Sequence, residues 1–159
     1  MGPTPEKNLQ QLLRTMQPSL LEGVYAFVTV ANGKPTPPGL SPLMTYREPE
    51  GLTLLLDEKD LAKSGLPHAF FCRGISLNVN SSLYAVGFLA AVSERLARAA
   101  MSINIVSAFH RDYIFVPSAR AEEALEVLRA LAHEARGGAP RSPADLPRGK
   151  DAGKGRLGP

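Results

Sequence analysis

Asn80, Ser81 and Ser82 follow a run in which Ile75, Leu77 and Val79 alternate with polar residues, and they precede a stretch with helical apolar spacing that begins near Leu83. Three hydrogen-bonding side chains thus stand where a strand hands over to a helix. A helix start carries unpaired N–H groups and the positive end of its dipole, which suits a carboxylate ligand. Ser81 or Ser82 also suits a helix cap, a role compatible with binding. A second polar position, Asn104, lies in the strand Ser102 to Phe109, on the side of Ser102 and Val106 and opposite Ile103 and Ile105. If that strand is covered, the Asn104 amide needs partners for its donors and its acceptor. The two polar clusters are expected to meet at the strand ends, giving a ligand site of Asn80, Ser81, Ser82, Val86, Gly87, Asn104, Ile105 and Val106. Gly87 reads as a position inside the helix, where glycine costs about 0.5–1 kcal/mol relative to Ala and so marks close packing or close ligand approach.

No other reactive residues form a constellation. Cys72 is the single cysteine, so no internal disulfide is available, and Phe70-Phe-Cys-Arg reads as a buried strand position rather than a nucleophile. His68, His110 and His133 fall in a loop, a turn and a helix flank, with no metal-ligand spacing. Gly149 to Lys154 has neither the spacing, the following Ser or Thr, nor the preceding strand of a phosphate loop. No Gly-x-Ser-x-Gly occurs, and carboxylate pairs such as Glu122 and Glu123 belong to a helix surface. The expectation is a chain without catalytic residues, cofactor or metal.

The elements that position these residues follow from periodicity. Thr4-Pro5-Glu6 reads as a helix opening, with Leu9, Leu12, Leu13 and Met16 on one face and Pro18 as the stop. Val24 to Ala31 is a strand apolar on both faces, which asks for cover from a second chain or from the other half. Pro42 to Tyr46 and Leu52 to Leu56 form a hairpin, and Asp57 caps a short helix ended by Gly65 and Pro67. The second half runs strand Phe70 to Val79, helix Leu83 to Ala100, a hairpin around His110-Arg111, and a last helix capped by Ser118. Each half ends in hairpin then helix. Residues 1–67 and 68–136 therefore read as two ferredoxin-like α+β halves, antiparallel sheets with helices on one face.

With 44% hydrophobic residues, 159 residues support one core or two small ones sharing an interface. No apolar tract is long enough to span a membrane, and the start lacks a signal-peptide core, so a cytoplasmic protein is expected. The net charge of +3 resides in residues 137–159, with five basic and two acidic residues among ten Gly or Pro, a basic tail whose composition is that of a disordered segment. The other 136 residues balance 13 basic against 13 acidic, which argues against a nucleic-acid partner.

Three phrases carry a family likeness: Tyr46-Arg-Glu-Pro-Glu-Gly-Leu-Thr-Leu-Leu, Ser81-Ser-Leu-Tyr-Ala-Val-Gly-Phe-Leu-Ala, and Phe115-Val-Pro. They resemble ACT domains, the small-molecule regulatory modules of amino-acid metabolism, and within them bacterial stand-alone proteins with two ACT-like halves. The resemblance spans residues 24 to 134. It implies an amino-acid effector bound from the loop after the first strand and from the start of the next strand. ACT domains commonly carry Asp or Asn followed by Pro-Gly in that loop; this chain keeps Asn80 and has Ser81-Ser82 instead. The expected function is a non-catalytic, homodimeric regulatory protein that binds an amino-acid-like effector. Two alternatives stand beside it. One is a dimerisation module without ligand, and the other an RNA-binding module of the same fold, which lacks the Lys/Arg-Gly-Phe/Tyr motif.

Overall fold

Strand pairing joins the two halves of this chain. A computed structural model describes residues 4–139. The basic tail, apart from its first three residues, lies outside the described residues. In chain order the elements are α1 (Leu9–Thr15), β1 (Ser19–Leu20), β2 (Tyr25–Ala31), β3 (Met44–Glu48), β4 (Gly51–Asp57), α2 (Glu58–Ser64), β5 (His68–Ser76), α3 (Phe88–Arg98), β6 (Asn104–Ser107), β7 (Asp112–Pro117) and α4 (Ala121–Ala135). The fold is ferredoxin-like α+β, and the strands of both halves form one antiparallel sheet in the order β3-β4-β2-β5-β7-β6, with β1 paired to β5. The seam between halves is the β2–β5 pair, where Tyr25 faces Cys72 and Val28 faces His68.

Period-two alternation divides the side chains between the faces of this sheet. Val28, Val30, Leu54 and Leu56 pack with Leu61 of α2. On the same face, Ile75, Ile114 and Val116 pack with Leu12 of α1, Phe88, Val92 and Leu96 of α3, and Leu125 and Leu128 of α4. All four helices therefore cover one face, and each fully buried Leu there contributes roughly 1.5–3 kcal/mol. Arg120 fastens α3 to α4 by donating to the carbonyls of Ala99 and Ala100 at 3.0 and 2.7 Å while pairing with Glu123 at 2.6 Å.

The opposite face carries Leu55, Cys72 and Phe115, with Tyr25, Phe27, Met44, Phe70, Val106 and Tyr113 packed around them. No helix covers it. Phe115 meets Tyr25 and Phe27 edge-on, both at 6.3 Å between ring centroids, a favourable geometry for aromatic pairs. This aromatic layer explains why Val24 to Ala31 reads as apolar on both sides.

Several local expectations change. The segment before α1 is not helical from Thr4: Asn8 is the cap, accepting from the Gln11 N–H at 2.9 Å, because Glu6 is held in a bridge with Ser81. Asp57 does cap α2, and Gly65 closes it. The helix expected from Leu83 begins at Phe88, and neither Ser81 nor Ser82 caps it. The backbone around those serines is committed elsewhere, since Glu6 N–H donates to Asn80 O and Ser82 N–H to Glu6 O. Gly87 is the N-cap, at φ 89° in the left-handed region that favours glycine. Ser118 likewise gives no side-chain cap; a short 3₁₀ turn, Ser118–Arg120, leads into α4.

Candidate functional site

The two edge strands β3 and β6 belong to different halves, yet both line one cavity on the open face, so the sheet curls toward that side. The cavity measures about 590 Å³, within the usual range for small-molecule sites. Its floor is Phe27 and Thr29 of β2. Met44, Tyr46 and Glu48 stand on the β3 side, and Asn104, Ile105 and Val106 on the β6 side. Thr53 of β4 donates its hydroxyl to the Glu48 carboxylate, and His68 and Ala69 close the end near the seam. An apolar floor with amide, hydroxyl, imidazole and carboxylate groups at its rim can hold a small zwitterion.

One irregularity shapes this cavity. Between Tyr25 and Phe27 of β2 the pairing with β5 slips by a residue, a β-bulge. Phe70 sits in it at φ 59°, a conformation that a bulky side chain rarely adopts. The bulge lets the Phe70 ring pack on the open face against Phe27, at 6.2 Å. Strained residues of this kind concentrate at binding sites.

The residues expected to bind ligand divide into two groups. Asn104, Ile105 and Val106 line the cavity, whereas no residue of 80–87 does. Ser81 is buried, and its hydroxyl donates to Asp112 at 2.5 Å; Ser107 at the far end of β6 donates to the other Asp112 oxygen at 2.6 Å. The polar loop therefore meets the Ser107 end of β6, not the Asn104 end. Asn78, at φ 49°, ties the loop base to Gln17 O and Ser19 through its amide. Ser82 accepts from Tyr84 N–H. Leu83, Tyr84 and Val86 are 61%, 82% and 84% exposed, an apolar loop tip beside Gly87.

Phe27, Met44, Tyr46, Glu48, Thr53 and His68 are cavity residues beyond the expected set. The signal for them was the second apolar face of Val24 to Ala31, read only as a surface requiring cover. Cys72 is fully buried on the same face of the sheet, packed among the aromatic residues, and burial pushes its thiol up to about 12, so it stays a neutral thiol at ordinary pH. Among the described residues no group of three or more His, Cys, Asp or Glu could hold a metal ion, and no helix is long and apolar enough to cross a membrane.

Comparison with known proteins decides the family. Two sequence profiles, each described as an ACT domain, match residues 4–73 and 71–130 in tandem. A solved protein of unknown function from Vibrio cholerae is 37% identical over 78% of this chain and 95% of its own, with a TM-score of 0.69. The chain belongs to the ACT domain family. An Agrobacterium tumefaciens protein shares the fold at 16% identity, 74% and 89% coverage of this chain and its own, and a TM-score of 0.61. The regulatory subunit of aspartate kinase from Thermus flavus does so at 13% identity, 72% and 95% coverage, and a TM-score of 0.52. No functionally curated protein matches. In this tandem ACT chain the two modules contribute opposite walls of one cavity, with the first module's β3 facing the second module's β6.

Proposed function

We propose that the chain is a non-catalytic regulatory protein that binds an amino-acid-like effector. The observation that carries this reading is the cavity between β3 and β6, where Asn104 and Glu48 stand on opposite walls above an aromatic floor. Glu48 supplies a carboxylate for an ammonium group, and the Asn104 amide supplies donors for a carboxylate. Membership of the ACT family supports a regulatory role, and so does the fold shared with aspartate kinase regulatory subunits.

The mechanism is a population shift. An effector touching both walls binds better when β3 and β6 are close, and so favours the closed sheet. The loop of Asn80, Ser81, Ser82, Val86 and Gly87 takes part in this reading as the element that answers to β6, through the bonds of Ser81 and Ser107 to Asp112. Its exposed tip, Leu83, Tyr84 and Val86, is the surface given to a second copy of the chain. Light scattering at tens of micromolar is expected to give twice the 17.0 kDa chain mass; a monomer mass contradicts the dimer.

The effector itself is tested by a thermal-shift screen against the twenty amino acids. A ligand present at 100 times its dissociation constant adds about 2.7 kcal/mol if it binds only the native state. For a domain of this size that raises the melting temperature by several degrees. Asn104→Ala, at an exposed position, is expected to abolish the shift while leaving the ligand-free melting temperature nearly unchanged. Should no amino acid stabilise the wild type, the effector reading fails.

A further inference from the structure

We propose that the effector is an amino acid with a large apolar side chain, seated in a second cavity that opens off the first; this rests on the effector reading above. The second cavity, about 420 Å³, is lined by Leu21, Leu43, Ala108 and Phe115, and Met44 and Val106 belong to both cavities. Among the described residues no charged side chain lines it, and the Tyr113 hydroxyl is the one polar side-chain group there. The charged and amide groups, Glu48, His68 and Asn104, stand in the first cavity.

The arrangement sets the direction of a bound molecule. With its ammonium and carboxylate groups at Glu48 and Asn104, the side chain of an amino acid passes the waist of Met44 and Val106 and enters the apolar end. Met44 suits that waist, since an unbranched thioether adapts to differently shaped neighbours. The chain also makes room for the far wall. At Gly74 a Cβ would stand 2.7 Å from Leu21 Cδ1 and 2.9 Å from Phe115 Cε1, so a larger residue there would displace one of these side chains from its place over β5. Leu21 is fixed there by its N–H, which donates to Gly74 O at 2.8 Å. Each CH₂ group buried in such a pocket multiplies affinity about fourfold. Leucine is therefore expected to bind tens of times more tightly than alanine, and a charged side chain finds no opposite charge at the apolar end.

The test is thermal shift and calorimetry on the full chain with glycine, L-alanine, L-leucine, L-methionine, L-phenylalanine, L-lysine and L-glutamate. Leucine, methionine or phenylalanine should stabilise the protein at concentrations where the other four do not. Ala108→Phe fills the apolar cavity and should weaken binding of these ligands at least tenfold. Leu43→Asp, at a rim position 51% exposed, should do the same without threatening the fold. If only a small or charged amino acid stabilises the chain, or if both variants bind leucine as tightly as wild type, this inference falls while the effector reading stands. If none of the twenty amino acids stabilises the wild type, both fall together.

Discussion

Phe88→Ala is expected to lower the unfolding free energy by about 3–5 kcal/mol, a large share of the 5–15 kcal/mol that holds a typical domain together. Phe88 is the first residue of α3 and only 2% exposed, buried with Leu12, Val92 and Leu96 between α1, α3 and α4. The helix has no capping side chain, because Gly87 occupies the cap. Burial of the Phe88 ring therefore fixes where α3 begins. Val86→Ala, two residues earlier and 84% exposed, should change stability by no more than about 0.5 kcal/mol. Urea denaturation of the two variants measures the difference directly. Similar midpoints for both would mean that α3 starts upstream, near Leu83.

Gly51→Ala should be the most damaging single methyl addition in the first half, at about 1–3 kcal/mol or more. Gly51 pairs with Ala31 on one side and Glu48 on the other, so it sits inside both ladders that hold β4. A Cβ there would lie 2.2 Å from Val30 O and 3.2 Å from Ala31 Cα. These are backbone atoms, and no rotamer change relieves the contact. The strands must separate, carrying Tyr46, Glu48 and Thr53 away from the cavity. The same variant should therefore weaken effector binding more than its stability loss suggests. A melting temperature equal to wild type would show that β2 and β4 are not paired in this register.

The alternation in Ile75, Leu77 and Val79, the helical stripe through Val92 and Leu96, and the turn at His110-Arg111 made the second half legible from sequence. Asp57 and Gly65 did the same for α2. The start of α3 differs from the sequence reading for a physical reason. Leu83 to Gly87 have helical spacing, yet the backbone of Asn80 and Ser82 just before them pairs with Glu6, about 75 positions away in sequence, and no local pattern reports such a pairing. Asp112 was equally silent: a carboxylate opening a strand looks solvated, and only the fold brings Ser81 and Ser107 to it. The sequence puts Asn104 and Val106 on one face of a strand, and both line the cavity. What they face, Phe27 and Met44 of the other half, depends on the curl of the whole sheet.

The most direct test of where the effector sits is an amide chemical-shift map of the ¹⁵N-labelled protein titrated with L-leucine. The predicted result is saturable change clustered at Phe27, Thr29, Met44, Tyr46, Asn104 and Val106, from both halves at once, with a smaller response at Ser81 relayed through Asp112. Change confined to the helical face, or no saturable change at any residue, would contradict a binding site on the open face of the sheet.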